Sequence, residues 1–426
     1  MIRIRRYVSA HLMLMFMAVI SPLFGVGQFD ADFFPDTTQT LHVDFQGFYT
    51  YGSSVMDNQF MNKFLFGGTI DRADKDRQYG RLSGSNRLGA DFNFKVTAEI
   101  PFDTVFGKPN LSLLVGVESV DHIDAVFGEE LFRLTFDGNK QFAGQTIDIG
   151  NTNYNQYRYQ YLSLGFINHK FFDEGRMARE GVIVNLIKGQ EHQAITVPEG
   201  SLYTEELGRE IALDINYVYN ATDTANKGWK AFTGWGISTD LFTEFYLRNG
   251  AKIYMGVEDL GFIFWNKQSL EMATDSLYSF SGITIDNIFD LNDTILDKIS
   301  KDSIVNSVAT RNIKDDYSIA LPTAIQLKYT KVLNEKWKIN AGLYYKILSN
   351  YFPLIYSNAY YYVNDKLSVK IQMAYGGYGT IHSGMAIAKS FGNSFRIYVG
   401  TNNLEGLILT DKAHSNSGFV GIKKYF

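Results

Sequence analysis

Two segments of the sequence alternate apolar and polar residues over the length that a tilted strand needs to cross a membrane. From Leu88 to Ile100 the even positions are apolar, and the odd positions hold Gly, Asp, Asn, Lys, Thr and Glu. From Leu41 to Tyr51 most odd positions are apolar or aromatic, and the opposite face contains His, Asp, Gln and Thr. Because a strand points successive side chains to opposite faces, one face would meet lipid and the other water. Both segments therefore predict transmembrane strands of a β-barrel.

The start of the sequence predicts export. Three arginines, at positions 3, 5 and 6, precede an uncharged apolar run from Leu12 to Phe24 that ends in Gly25, Val26 and Gly27. The run is shorter than the roughly 20 residues of a membrane helix, so residues 1–27 are interpreted as a secretory signal peptide and 28–426 as the barrel. The chain has 0 Cys, which excludes disulfides, a thiol nucleophile and lipidation at cysteine.

Composition agrees with a barrel rather than a helical membrane protein. Aromatic residues make up 15% of the chain, and 7 Pro leave strand ladders largely intact. Mean hydropathy is −0.13, as expected when alternate strand residues face water. The formal charge of −5 becomes more negative when the three arginines of the signal are removed, so nucleic acid is not an expected partner.

Further strand patterns recur along the chain with turn residues between them. Counted generously, they predict an all-β fold, a transmembrane antiparallel β-barrel of about 14 strands, with 12 to 16 compatible with the pattern. The remaining segments are Leu111 to Val120, Tyr157 to Lys170, Val182 to Lys188, Ile211 to Tyr219, Ile237 to Leu247, Ala251 to Val257, Thr323 to Val332, Trp337 to Ile347, Leu354 to Val363, Leu367 to Tyr375, Ile381 to Lys389, Phe395 to Gly400 and Gly418 to Phe426.

The last residue carries its own signal. Phe426 ends a strand pattern in which Val420 and Ile422 share its face, although Lys424 interrupts that face. A terminal aromatic residue resembles the C-terminal strand that the barrel-assembly machinery recognises. This machinery and outer-membrane lipid are therefore the expected partners, with other outer-membrane proteins as further candidates.

Two regions interrupt the strand pattern. Residues 266–316 are rich in Asp and predict an extramembrane insertion, in which apolar residues between Ile285 and Ile299 approximate helical spacing. Ser53 to Gly68 also has near-helical apolar spacing, which leaves open a lumen plug, a helix at the barrel mouth or ordinary loop packing. A short N-terminal or loop plug is accordingly part of the predicted fold.

Several strings resemble motifs of one family. These are LFRLTFDGNKQFAGQTIDI at Leu131 to Ile149, VEDLGFIFW at Val257 to Trp265, MNKFLFGGTID at Met61 to Asp71, NRLGADF at Asn86 to Phe92 and ALP at Ala320 to Pro322. They are similar to a Bacteroidetes outer-membrane barrel family catalogued as a domain of unknown function. The resemblance implies an architecture related to fatty-acid-channel barrels and to barrels that accompany type IX secretion and gliding. It implies about 14 strands, and it supplies no activity and no functional residues.

Glycines in these strings predict local geometry. Gly138 and Gly144 permit tight turns in a loop folded into or over the barrel. Gly261 lies between two apolar runs, as expected of a bulge or kink, and Trp265 is predicted at a membrane interface.

Catalytic and metal-binding motifs give no positive signal. His42 and Asp44 share the inward face of one strand but stand nearly 7 Å apart along it, too far for a direct hydrogen bond. Asp121, His122 and Asp124 cluster at the predicted end of a strand, where solvated charges are favoured over a metal site. The sequence has no nucleophile elbow, zinc-helix motif or phosphate-binding loop. We therefore expect no enzyme, and assign no catalytic, cofactor-binding or metal residues and no cofactor.

Two functional hypotheses remain open. The first is an outer-membrane channel or transporter for a small solute, hydrophobic solutes included. The alternative is a non-catalytic accessory barrel of an outer-membrane secretion, motility or barrel-assembly complex. An open or ligand-filled lumen favours the first, and a plugged lumen with copurifying partners favours the second.

Overall fold

The computed structural model describes residues 33–34, 40–105, 107–172, 176–222, 226, 228–266, 269–281, 311–314, 316–347, 349–392 and 394–426. The predicted signal peptide lies outside these residues, and so does the helix predicted between Ile285 and Ile299. Both remain predictions.

The described residues form nineteen β-strands. These are β1 His42–Ser53, β2 Asn86–Val105, β3 Lys108–Phe127, β4 Gln145–Asp148, β5 Thr152–Phe172, β6 Arg176–Thr204, β7 Glu210–Ala221, β8 Gly234–Tyr246, β9 Lys252–Trp265, β10 Leu270–Ser281, β11 Arg311–Lys314, β12 Tyr317–Ala320, β13 Ala324–Asn334, β14 Trp337–Lys346, β15 Phe352–Asn364, β16 Leu367–Gly377, β17 Ile381–Phe391, β18 Phe395–Thr401 and β19 Ser415–Tyr425.

Fourteen of these strands close into a single antiparallel barrel. Each pairs with the next in the order β1, β2, β3, β5, β6, β8, β9, β13, β14, β15, β16, β17, β18 and β19, while β12 continues β13 along β9. The ring closes because β1 pairs with β19, from His42 opposite Tyr425 to Gly52 opposite Ser415. Closure leaves the wall without an unpaired edge. The predicted all-β barrel and its strand number are confirmed.

The two ends of the barrel differ in their connections. Short turns join β2 to β3, β8 to β9, β13 to β14, β15 to β16 and β17 to β18, and both β1 and β19 reach this same end. We call it the turn end. The long connections, from β1 to β2, β3 to β5, β6 to β8, β9 to β12 and β18 to β19, all lie at the opposite end, which we call the loop end.

Alternating residues separate the outer surface of the wall from its lumen. On β5, Leu162 and Leu164 are 50% and 55% exposed, whereas the preceding residue of each, Tyr161 and Ser163, is buried. On β16, Ile371 and Met373 are exposed, and Gln372 between them is buried. The exposed apolar residues form the outward band that a bilayer covers in barrels of this kind.

A sheet extends the wall beyond the barrel at the loop end. β6 spans 29 residues, of which the first half pairs with β8 and the second half pairs with β7. β7 then pairs with β10, and β10 pairs with β11. The segment Ile211 to Tyr219, predicted as a barrel strand, therefore lies outside the barrel ring, because the second half of β6 offers it a partner above β8. Within the predicted insertion 266–316, the described residues include strands of this extension.

Four short α-helices lie in the long connections of the described chain: α1 Asn58–Phe66, α2 Arg72–Tyr79, α3 Glu129–Asp137 and α4 Leu404–Ile408. The carboxylate of Asp57 caps α1 by accepting a hydrogen bond from the Phe60 amide at 2.8 Å. No helix in the described chain has both the length and the apolar character to cross a membrane.

Helices α1 to α3 pack around one apolar cluster at the barrel mouth. Phe60 of α1 and Phe132 of α3 are buried in it beside Tyr51, Leu88 and Ala90. The last three residues belong to the outward-facing set of β1 and β2. Ser53 to Gly68 therefore covers the outside of the wall at the loop end, and of the interpretations left open, a helix at the mouth is confirmed.

Neighbouring residues on β13 test which face meets lipid. Leu327 is 45% exposed on the outer face, and Gln326 lines the lumen. We expect Leu327→Arg to destabilise the barrel by about 2–4 kcal/mol, because a charge is placed in the hydrocarbon region. Gln326→Arg, the control, adds the same charge to the lumen and should fold normally. Heat-modifiable electrophoretic mobility and urea unfolding measure the difference. Equal stability of the two variants would contradict the assignment.

Candidate functional site

A cavity with a volume of about 860 Å³ occupies the lumen from the turn end to the level of Asp91 and Lys346. The inward residues of β2 line it as the alternation predicted: Asp91, Asn93, Lys95, Thr97 and Glu99. His42, Asp44 and Gln46 line it from β1. The cavity extends to the strand ends at the turn end, where Arg176 begins β6 and Lys252 begins β9.

The N-terminal residues Phe33 and Phe34 lie inside this lumen. The ring of Phe33 is 1% exposed and packs 5.6 Å from the rings of both Tyr360 and Tyr398. The ring of Phe34 lies 6.3 Å from that of Tyr362. These contacts place a short N-terminal piece within the barrel, as the predicted N-terminal plug requires.

The cavity wall near the turn end is predominantly basic, and we call these residues the basic layer. Eight cationic side chains line it: Arg176, Arg179, Lys252, Lys328, Lys331, Lys338, Arg396 and Lys423. The carboxylates lining the same level are Asp44, Glu99 and Glu244. Arg179 lies 3.4 Å from Glu99, and Lys252 donates to Glu244 at 3.0 Å. Among the described lining residues, positive charge therefore exceeds negative charge at this end.

Nearer the middle of the strands, the lining becomes acidic. Glu118, Asp240, Glu258 and Asp259 face the cavity there, and Lys95 lies 3.1 Å from Glu118. On β9 and β13, Glu258 pairs with Ala324 while Tyr254 pairs with Lys328, so the acidic level lies about 13 Å along the strands from the basic layer. We call these four carboxylates the acidic waist.

A β-bulge shapes the acidic waist. The register between β8 and β9 shifts between Thr239 and Leu241, and Asp259 opposite the shift has φ 58°. Its amide donates to a carboxylate oxygen of Asp240 at 2.9 Å. Gly261 follows on β9, and a Cβ there would lie 2.1 Å from the carbonyl oxygen of Ile237. The sequence predicted a bulge or kink at Gly261. The structure has a bulge here, but the residue with left-handed backbone geometry is Asp259, two positions earlier.

The roof of the cavity is a polar network that crosses the lumen. Lys346, the last residue of β14, donates to Asp91 of β2 at 2.6 Å, and these strands stand opposite one another in the fourteen-stranded ring. His122 contacts Asp91 at 2.6 Å and Asp124 at 2.7 Å. Asn350 reaches Asp124 from the β14–β15 connection. We call these five residues the crossing network.

His122 is held between two carboxylates in the crossing network. Its Nδ1 faces Asp91 and its Nε2 faces Asp124, and all three residues are buried. Since ionised carboxylates only accept hydrogen bonds, a ring that serves both must donate from both nitrogens, which is the protonated form. Lys346 and protonated His122 then balance the charges of Asp91 and Asp124, as burial in a low-dielectric lumen requires.

Aromatic side chains fill the remaining space beside the crossing network. Tyr157, Tyr159, Tyr161 and Trp265 form a buried cluster with apolar neighbours from β3, β6 and β9. Trp265 is 1% exposed, and its ring stacks 5.4 Å from that of His192. The prediction that Trp265 lies at a membrane interface is wrong, because its position on β9 turns it into the lumen.

The candidate metal trio does not converge. His122 and Asp124 face the lumen, whereas Asp121 on the opposite face of β3 pairs with Arg158 at 2.5 Å. These residues lie within β3 rather than in a loop. Nowhere in the described chain do three His, Asp or Glu side chains gather as metal ligands. His42 lies 3.8 Å from Glu99, and Asp44 accepts a hydrogen bond from Gln46 at 2.8 Å.

Sequence reasoning found one side of the crossing network and missed the other. Asp91 belongs to the predicted inward face of β2, and His122 and Asp124 were singled out as a cluster. Lys346 and Asn350 carry no local signal, because Lys346 meets Asp91 across 255 residues of chain. In the sequence, Lys346 is a single lysine near the end of an alternating strand, and Asn350 lies in the connection that follows it.

Residues 36–402 match the model of a protein family that is described as a family of unknown function, DUF5723. The chain belongs to this family. The match covers most of the barrel and confirms the resemblance to a family of unknown function; the predicted Bacteroidetes origin remains a prediction. No curated protein matches the sequence.

Among solved structures, the chain is similar to the deltaS2S3 mutant of the monoaromatic hydrocarbon channel TodX, with 9% identity, TM-score 0.47 and coverage of 96% of this chain and 94% of that one. It is similar to the toluene transporter TodX of Pseudomonas putida, with 10% identity, TM-score 0.44 and coverage of 96% and 93%. A FadL homologue of Pseudomonas aeruginosa is 11% identical, with TM-score 0.38 and coverage of 91% and 90%.

The crossing network should show strong energetic coupling. Lys346→Met leaves Asp91 with one fewer cationic partner and is expected to cost about 3–5 kcal/mol in the free energy of unfolding, as for a broken buried pair. Asp91→Leu should cost a similar amount. The double variant should lose less than the sum of the two, because neither charge is then left behind. Urea unfolding in detergent micelles measures all four proteins. Additive losses would contradict a direct Asp91 to Lys346 interaction.

Proposed function

We propose that the protein is an outer-membrane barrel that admits a small charged or polar solute into its lumen from the turn end and gates passage at the crossing network. The supporting observation is the cavity itself, which is lined by charged side chains and crossed toward the loop end by the side-chain pair of Lys346 and Asp91. Side chains can rearrange without breaking the hydrogen-bonded wall, so a roof of this kind is suited to gating.

The orientation and location are part of this proposal. In outer-membrane barrels the short turns face the periplasm and the longer loops face outward. By that rule the cavity is open toward the periplasm, and the crossing network separates it from the outside. The exposed apolar band supports residence in a bilayer, and the predicted signal peptide supports export.

The lining favours polar over hydrophobic solutes. Most of the inward positions at the turn end are charged or hydrogen-bonding, and the acidic waist and basic layer face the same space. A hydrophobic solute would have to displace water from these charges without replacing its hydrogen bonds. We therefore narrow the expected solute class to polar and charged molecules.

Conductance of the purified barrel in a planar bilayer tests the gating proposal. We expect small or rare openings for the unaltered protein, and larger and more frequent ones for Asp91→Ala/Lys346→Ala, because the roof loses the pair that spans the lumen. The matched control is Asp121→Ala/Arg158→Ala, which removes an ion pair of the same kind from the outer face of neighbouring strands. The control should conduct like the unaltered protein.

The proposal would be overturned if no folded variant showed any conductance. If a mild-detergent pulldown from outer membranes then yields a stoichiometric partner, the accessory-barrel alternative takes its place. That alternative draws support from the crossing network and the buried aromatic cluster, which occupy the lumen toward the loop end.

A further inference from the structure

His122 of the crossing network lies between two buried carboxylates, with Nδ1 2.6 Å from Asp91 and Nε2 2.7 Å from Asp124. We propose that His122 is a proton sensor: its protonated form holds the roof of the cavity closed, and loss of the proton at raised pH opens the roof. The proposal rests on the proposed function, since it names the signal that operates the gate.

The charges of the crossing network balance only when His122 is protonated. Asp91 and Asp124 are 4% and 0% exposed. In the described chain, the groups of opposite charge that contact them are Lys346, which reaches Asp91, and His122, which reaches both. Loss of the proton would therefore leave two buried carboxylates with one cation. An uncompensated charge in such a site is costly, so the closed arrangement depends on the proton.

The hydrogen bonds of the network have the same dependence. A neutral imidazole donates from one nitrogen only, so one of the two carboxylates would face a lone pair at hydrogen-bond distance. Asp124 would keep the side-chain amides of Asn155 and Asn350 as donors. Within the described chain, Oδ2 of Asp91 has no hydrogen-bond partner, and its Oδ1 already accepts from Lys346. No spare donor therefore stands beside Asp91 to replace the one that is lost.

This rearrangement would act directly on the contact that crosses the lumen. Oδ1 of Asp91 accepts from both His122 and Lys346, each at 2.6 Å. With His122 neutral, Asp91 and Asp124 would compete for Lys346, which reaches them from the opposite wall. Water entering the network would relieve the unbalanced charge, because it supplies donors to the carboxylates. The hydrated, open arrangement is therefore favoured once the proton has left.

The other titratable groups that face His122 keep their protonation state over the relevant pH range. The rings of Tyr157 on β5 and Tyr378 between β16 and β17 lie 5.8 and 6.4 Å from the imidazole. The ring of His192 on β6 lies 5.0 Å from that of Tyr157. Free phenols and lysines lose a proton near about pH 10, and free carboxyl groups near about pH 4. Within the network, His122 is therefore the group that titrates between these limits.

Labelling of a lumen thiol from outside the cell tests this inference, because the chain has 0 native Cys. Gln326→Cys supplies the lumen thiol, and Leu407→Cys on exposed α4 is the reference that corrects for the faster reaction of thiolates at raised pH. A membrane-impermeant thiosulfonate reagent is applied to intact cells at about pH 6 and about pH 9, on either side of the ordinary histidine range. We expect the ratio of the two rates to rise about tenfold or more, the effect of one unmade hydrogen bond to a buried charge.

Two variants of the network should change this response in opposite directions. His122→Gln lacks the positive charge at every pH, so its ratio should be high at both pH values. Asp124→Asn replaces one carboxylate with an amide that can donate to a neutral ring, so its ratio should stay low at both. The matched control is Asp121→Asn, which removes a carboxylate from the outer face of the same strand and should respond like the native roof.

An equal ratio at the two pH values with His122 in place would overturn the inference. A pH response that survives in folded His122→Gln or folded Asp124→Asn would also overturn it. Labelling reports opening of the roof, whereas conductance reports passage along the whole lumen, so the inference and the proposed function can fail separately. A pH-dependent ratio without conductance in any folded variant would keep the sensor and reject the channel. Conductance with a ratio that does not depend on pH would do the reverse.

Discussion

The pairing of β1 with β19 is the constraint on which the rest of the structure depends. It turns a sheet with two edges into a wall in which each strand has a neighbour on both sides, as a bilayer requires of backbone polar groups. Closure also fixes which strands face each other across the lumen. Lys346 reaches Asp91 because β14 and β2 stand opposite in that ring. The cavity below the crossing network and the filled space beside it both follow from this arrangement.

The alternation of residue types predicts the wall well because its period is a local property. It placed Asp91, Lys95 and Glu99 on the lumen face, and it gave the right strand number. Alternation does not show which strands pair with each other, so it could not exclude Ile211 to Tyr219 from the barrel ring. For the same reason it could not predict that Lys346 contacts Asp91 across the lumen. Trp265 was misplaced for a related reason, since an aromatic at a strand end suits either face until the register is known. The family match supplies no function to fill these gaps.

Net charge conceals the most informative electrostatic feature of the chain. A formal charge of −5 indicates a mildly acidic protein, yet the described lining of the lumen has a basic layer at the turn end and an acidic waist about 13 Å away along the strands. The sequence scatters these charges over strands from β1 to β19, and only the barrel gathers them into levels. A neutral or uniformly charged lumen would equally satisfy the fold, so this layering is the feature on which the proposal of a charged solute rests.

The absence of native cysteine allows a direct measurement of the central claim, that the lumen opens at the turn end and is closed at the loop end. Gln326→Cys places a thiol in the cavity, and Leu407→Cys places one on exposed α4 at the loop end. With a membrane-impermeant maleimide on intact cells, we expect Leu407→Cys to be labelled and Gln326→Cys to be protected, while both react in the purified barrel. Labelling of Gln326→Cys on intact cells at the rate of Leu407→Cys would contradict the account.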